Sequence, residues 1–600
     1  MKPGQIIKKE SIQQGITTLR LDGIYPISHV KGNHLKDLIF SVDDIISEKN
    51  AEQILYANKI VLNAEKETEI EVILANGYLA SKDEEWTKKF SQKQGWSGSD
   101  GIYSFNITTG CDQFDQKRNF TNLFVFGDTF VGRTDKVTKR RYEPLLMPNN
   151  SMGYLDAGRE KIEFLINKTE KDSVTAFFKI EPLHDVVGTL ASNLVSYDQK
   201  KPNDGWISGY NPKKVWLTFD LQTPEFVDQI DIYNYYNHES SILASRGIRI
   251  FRLLASNDGK KWTDLGEYEL KKSTSKTDHQ SISVGGTYRH FQFDIHSGAG
   301  IGNHEDEMNE GVFALSRVEF IREGVKYRDI QVEASSTMLE EGAKSWIWLQ
   351  DGVVIEKMLY FFPYQVISDM NQPEGLQFGI KGISMIKVPI LDNRIDFKKA
   401  VQKRTPFLFQ QGDSELIFGG ALTPNTVQSG ALNPDGYVYI YGYKTTWGLR
   451  QLIAARVLES DFELFDKWEF YDGAHWQKDM MKIAPLLNHI STEFSVSPIL
   501  KGRNKGKFIC VFTYDTNTPY VSYSIGDSLI GPFEKPQIIY KTPEQEQFKS
   551  TTYTYNAKAH PQLSESDNIM VSYNTNTYNF EHNMSNCDIY GPRIIRLREI

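Results

Sequence analysis

The sequence is poor in cysteine: 600 residues hold three, Cys111, Cys510 and Cys587. They are too few and too scattered for a disulfide framework or a zinc cluster, and an odd count leaves one unpaired within the chain. They read as small buried hydrophobes. No apolar run approaches the roughly 18 residues of a membrane span. The opening Met1-Lys2-Pro3-Gly4-Gln5 has no apolar stretch of a secretion signal. The compartment therefore stays open, with an extracellular, periplasmic or cell-surface location expected if a signal has been trimmed. A basic excess is missing as well: 68 Lys and Arg stand against 77 Asp and Glu, a formal charge of -9. No broad basic field exists to draw nucleic acid or an anionic membrane. There is no Gly-x-x-x-x-Gly-Lys phosphate loop, no His-Glu-x-x-His helix and no Gly-x-Ser-x-Gly elbow.

Aromatic residues are plentiful, with 30 Tyr, 34 Phe and 10 Trp. That balance suits β-rich proteins presenting flat rings to ligands. The length points to more than one domain. A helix-like stretch is expected from Asn33 to Asn58, followed by the strand-like Glu69-Ile70-Glu71-Val72-Ile73-Leu74. Beyond residue 85 or so, short runs of Val, Ile, Tyr, Phe and Thr alternate with Gly, Asn, Asp and Pro turns, as in a sandwich, barrel or propeller. One phrase recurs: Leu123-Phe124-Val125-Phe126-Gly127-Asp128-Thr129 returns at Tyr437 to Tyr443, Phe508 to Asp515 and Ile569 to Asn574, and more loosely at Met358 to Phe362. One strand type at blade-like spacing argues for a propeller of about five blades. The spacing breaks only between Asp128 and Met358, where something is inserted.

The insert, from about Leu183 to Arg322, contains Val215-Trp216-Leu217-Thr218-Phe219-Asp220-Leu221 and then Ser256-Asn257-Asp258-Gly259-Lys260-Lys261-Trp262. It closes with Tyr288 to Phe293 and Leu315 to Phe320. This order resembles the discoidin, or coagulation-factor type C, module, an eight-stranded jelly-roll sandwich. In carbohydrate enzymes such modules commonly bind sugars from loops at one end, and often hold a structural calcium. The acidic run Asn303-His304-Glu305-Asp306-Glu307 lacks a calcium-loop pattern and is expected to be a solvated loop.

Two acids stand beside glycines at strand ends: Asp100 in Trp96-Ser97-Gly98-Ser99-Asp100-Gly101, and Asp128 in Phe126-Gly127-Asp128-Thr129. Glycine lets backbone approach a ligand closely, and paired carboxylates around a sugar are the equipment of glycoside hydrolysis. The same Gly-Asp-Thr would also serve as an Asx-turn closing a hairpin. Further acids follow aromatic strands, Asp351 after Trp346-Ile347-Trp348-Leu349-Gln350 and Glu493 before Phe494-Ser495-Val496. Tyr555-Asn556-Ala557-Lys558-Ala559-His560-Pro561 precedes the last repeat. In this order the phrases resemble the five-bladed propeller hydrolases of furanose sugars, most closely a bacterial family long catalogued as a domain of unknown function that includes endo-D-arabinanases. The resemblance covers about residues 70–182 and 325–600.

That resemblance implies that acids from successive blades converge at one end of the central axis, with Asp100 and Asp128 as the catalytic pair. A working assignment makes Asp100 the base or nucleophile and Asp128 the proton donor. Asp351 and Glu493 are candidates for a third acid, and a turn role fits Asp351 equally well. Trp96 and Trp346 are candidates for stacking on sugar faces, while Trp348, Trp468 and Trp476 read first as core. Asn149 and Asn150 would present amides to the substrate or form a turn. Gln350 joins them as a substrate contact, and His560 would hydrogen-bond a sugar hydroxyl or be satisfied within the fold.

The expected architecture is all-β: a five-bladed β-propeller interrupted by a discoidin-like β-sandwich. The divisions are 1–68 (an extension that matches nothing placed), 69–182, 183–324 (the sandwich) and 325–600. The expected function is a glycoside hydrolase or transglycosylase on furanose glycans, arabinofuranosyl linkages first, needing no organic cofactor. A carbohydrate-binding or adhesion protein without catalysis is the alternative. A polysaccharide lyase would instead want a His, Tyr or Lys base and cationic partners for uronates.

Overall fold

The computed structural model describes residues 1–50, 54–92, 94–113, 119–135, 137–168, 174–178, 191–195, 205–208, 214–237, 243–297, 300–305, 311–334, 345–368, 377–411, 414–548, 551–564 and 568–600. Five antiparallel sheets, three of four strands and two of seven, form the blades of the propeller. Their innermost strands are Tyr103–Asn106, Gly352–Ile355, Ser414–Asn425, Phe494–Pro498 and Thr552–Ala559. Successive inner strands pack side by side around the axis. The second strands are Asn122–Phe126, Met358–Phe361, Tyr437–Thr446, Phe508–Thr513 and Asn568–Thr577, the five recurring phrases of the sequence. They recur because a second strand is covered on both faces by neighbouring blades, so alternation gives way to an unbroken apolar run. All five residues of Asn122–Phe126 are buried.

The ring closes across the chain's length. Tyr78–Lys82 is the outer strand of the last blade and pairs antiparallel with Gly591–Glu599, from Lys82↔Ile595 to Tyr78↔Glu599. Arg596 Nε donates to Asp83 Oδ2 at 2.7 Å beside this seam.

Among the described residues of 33–58 there is no helix. That region belongs to a six-stranded sheet built from Ile6–Ile12, Gly15–Lys31, Leu35–Val42, Ile45–Ile46, Leu55–Ala64 and Thr68–Leu74. His34, Asp37 and Asp43 take positive φ (60°, 49° and 52°), which breaks any continuous right-handed helix. The alternation of Ile60, Leu62 and Ala64 into a core is a strand period. The strand from Glu69 belongs to this sheet rather than to the propeller. The sheet packs on the last two blades, where Tyr56 meets Tyr523 edge to face and Tyr520 donates to Asp43 Oδ2 at 2.9 Å.

Between the first and second blades lies the sandwich. Its strands include Val215–Asn234, Ile250–Ser256, Thr263–Glu269, Gln280–Ile295 and Ala314–Arg322, and its sheet continues to Gln331–Ala334. Trp206, Leu217, Phe219, Phe251, Phe291, Phe293 and Phe320 fill its core. The expected start of the insert at Leu183 lies outside the described residues. The run at 303–305 is not a solvated loop: Asn303 and Glu305 are buried, and Glu305 faces the Arg246 guanidinium at 3.5 Å. Asp306 and Glu307 lie outside the described residues. Cys510 is buried, Cys111 and Cys587 are half-buried, and none of the three forms a disulfide.

Candidate active site

Asp100 and Asp128 sit on adjoining turns locked to each other. Asp100 N–H donates to the Asp128 carbonyl (3.1 Å), and Gly127 N–H donates to the Asp100 carbonyl (3.0 Å). Gly127 is required by this approach, since a Cβ there would lie 2.2 Å from Asp100 Oδ1. The two glycine–aspartate phrases are therefore one structure, which holds two carboxyls at the mouth of the first blade.

Asp128 accepts at Oδ1 from Asn149 Nδ2 (2.9 Å) and Trp348 Nε1 (3.2 Å). Burial pushes its carboxyl up to about 6 against those two donors. Asp100 is driven well above the usual carboxylate range, first by burial and then by the negative charges of Asp128 and Glu493. The Tyr590 hydroxyl opposes this shift at Asp100 and donates to the Asp128 carbonyl at 3.1 Å.

Glu493 stands directly before the fourth inner strand. Its Oε2 accepts from Lys558 Nζ at 2.8 Å, and Gln350 Nε2 reaches Oε1 at 3.5 Å. The Lys558 ammonium is buried 3.5 Å from the centroid of the Tyr103 ring. Burial lowers its pKa, while Glu493, Asp351 and Asp100 act to raise it. The Tyr103 hydroxyl donates to Gln350 Oε1 at 2.9 Å, completing a chain from the first blade to the last.

Asp100, Asp128, Gln350, Glu493 and Tyr590 open into a cleft of about 780 Å³. Trp346, Trp348 and Phe378 make one aromatic group on it, with Trp348 and Phe378 edge to face at 4.6 Å. Tyr553, Tyr555, Tyr578 and Tyr590 make another, Tyr553 stacking on Tyr578 at 4.4 Å. Glu415, Tyr443 and Arg450 of the third blade also line it.

Of the residues singled out in the sequence, the cleft gathers Asp100, Asp128, Glu493, Trp346 and Gln350. Asp351 lies deeper, in a narrow axial space of about 40 Å³ beside Asp112, Lys558 and His560. It accepts from Leu422 N–H at 2.7 Å, and burial raises it to about 7. Trp96, Asn150 and His560 are not cleft residues. Trp96 is buried, stacked on Phe164 at 4.2 Å, with its N–H given to Ser151 Oγ. Asn150 is buried and spends its amide on the backbone of Phe177 and Phe178. His560 engages Ser104 and Ser572 through its two ring nitrogens, and burial with the nearby Lys558 charge lowers it to about 3.

Sequence reasoning missed Lys558 and the tyrosines 553, 555 and 590. Lys558 stands in the run Tyr555 to Pro561, but a lone lysine carries no spacing signal. Trp348, read first as core, instead places its N–H on Asp128. Among the described residues no three His, Cys, Asp or Glu side chains come together as a metal site.

Residues 188–306 match the F5/8 type C domain, and residues 303–599 match a domain of unknown function, DUF5005. The DUF5005 match contains Asp351, Glu493 and Lys558 and leaves Asp100 and Asp128 outside it. No curated protein matches the chain. Among solved structures, a Bacteroides ovatus protein titled a “putative hydrolase” is 12% identical, with 87% of this chain and 90% of that one covered and a TM-score of 0.44. The C-terminal domain of a Bacteroides fragilis chitobiase is 18% identical over 22% of this chain and 81% of its own, with a TM-score of 0.17. A GH43_1 enzyme of Xanthomonas citri, complexed with xylose, is 12% identical over 42% of this chain and 87% of its own, with a TM-score of 0.21.

Proposed function

We propose that the protein is a glycoside hydrolase, or transglycosylase, that cleaves arabinofuranosyl linkages in furanose-containing glycans. The observation that carries this reading is the meeting of Asp100, Asp128 and Glu493, brought from separate stretches of chain to one aromatic-walled cleft. Glycosidic cleavage needs one carboxyl that still holds its proton and one that has lost it. Glu493 accepts at Oε2 from the Lys558 ammonium at 2.8 Å. Asp128 carries two N–H donors on one oxygen and is ionised above pH about 6. Asp100 faces both other carboxylates, and two nearby negative charges favour keeping its proton.

Asp100 is then the proton donor and Asp128 the base or nucleophile, the reverse of the working assignment from sequence. The aromatic groups offer flat apolar faces for the C–H side of a sugar ring. Arabinofuranose as the sugar rests on the family resemblance. A purely binding or adhesive role is the second reading, which the F5/8 type C domain fits equally well. The test is incubation with a panel of furanose polysaccharides and chromatography of the products. New fragments or transfer products support the enzyme, whereas intact polymers that nevertheless bind the protein support the second reading.

A further inference from the structure

We infer that the hairpin tip at Trp447-Gly448 is a glycan-stacking subsite that extends the cleft over the third blade. The inference rests on the glycan reading above and adds to it a contact remote from the carboxylates. The tip joins Tyr437–Thr446 to Leu449–Leu458, with Thr446 paired to Leu449, so the loop is two residues long. Both loop residues have positive φ, 53° at Trp447 and 79° at Gly448. A tight hairpin of this kind favours Asn-Gly, because a bulky side chain at positive φ is strained. Local conformational preference therefore argues against tryptophan at this position.

Packing does not explain it either. Trp447 is 85% exposed, and among the described residues it is the only exposed tryptophan of the chain's ten. A Cβ added at the neighbouring Gly448 would meet nothing within 4 Å, so the tip stands clear of its surroundings. A strained residue that neither the turn nor the core wants points to a ligand.

The position of the tip indicates which ligand. Tyr443 and Arg450, on the two strands that Trp447 joins, line the cleft that holds the carboxylates. Arg450 Nη1 donates to Thr516 Oγ1 at 2.7 Å, which fixes the guanidinium at that end of the cleft. Asn517, next in the chain, also lines the cleft. A sugar chain leaving the carboxylates along this wall passes Arg450 and Asn517 and then reaches the indole at the rim. A short rigid turn presents that ring with little conformational entropy left to lose on binding.

The test uses the full chain with catalysis silenced by Asp100→Asn, so that binding is read without turnover. Affinity electrophoresis against an arabinan polysaccharide is compared among Asp100→Asn alone, Asp100→Asn with Trp447→Ala, and Asp100→Asn with Trp447→Asn. Both double variants are expected to bind the polymer roughly five- to tenfold more weakly, the scale of one aromatic contact. Binding of an arabinofuranosyl disaccharide should be unchanged, since it does not reach the rim. Asparagine suits the turn, so Trp447→Asn should melt at or above the parent's temperature, which separates lost binding from lost folding. Undiminished polymer affinity in the double variants, with the parent binding, overturns the subsite. A parent that binds no furanose polymer overturns the glycan reading and the subsite with it.

Discussion

At the residue scale, the account depends on three carboxyls in unequal surroundings. Asp128 ionises at about 6, so kcat/KM should rise through that pH as the base forms. It should fall again at higher pH, when Asp100 gives up its proton. A profile flat from pH 5 to 8 would contradict the assignment. The same shift affects stability. A carboxyl whose folded pKa is raised stabilises the fold fully below its unfolded value of 3.8, and that contribution is lost as pH rises through about 6. Asp128→Asn should therefore match the wild type in thermal stability near pH 4 and exceed it above pH 6, on the order of 1–3 kcal/mol. A variant that is less stable than wild type at pH 7.5 would contradict this. Trp96, by contrast, is a packing residue, and Trp96→Ala should cost about 3–5 kcal/mol in denaturant unfolding.

At the element scale, the reciprocal turns of Asp100 and Asp128 fix where the acids point. Gly127→Ala would set a methyl group against Asp100 Oδ1. The variant should stay folded by circular dichroism but lose about a hundredfold in kcat, the usual result of misplacing a reacting group by about an ångström. Unchanged kcat would show that the close approach has no part in the chemistry. Elements also explain what could be read in advance. The five second strands were legible because burial on both faces leaves unbroken apolar runs in the sequence. The turns that hold Asp100 and Asp128 were legible because close approach demands glycine beside aspartate. The six-stranded sheet was misread as helix between 33 and 58, since its strands are bent by positive-φ residues that leave no clean period. Trp96, Asn150 and His560 were misplaced for another reason. Residues along the strands beside the cleft point alternately into it and away from it, and sequence does not tell which.

At the scale of the whole molecule, the propeller is tied shut by strands more than 500 residues apart, Tyr78–Lys82 on Gly591–Glu599. Removing residues 591–600 would strip the last blade of its third strand and leave Tyr78–Lys82 without a partner. We expect the truncated chain to lose its cooperative melt and to aggregate through the exposed edge. A soluble truncated chain with an unchanged melting temperature would contradict the closure. The axis ties the molecule together as well, since the run from Tyr103 through Gln350 and Glu493 to Lys558 joins four blades. The most direct measurement of the central claim is product release from an arabinofuranose polysaccharide by the wild type beside Asp100→Asn and Asp128→Asn. The account predicts fragments from the wild type and a loss of at least about a hundredfold in each variant, with binding retained. Fragments released at the wild-type rate by either variant would contradict it.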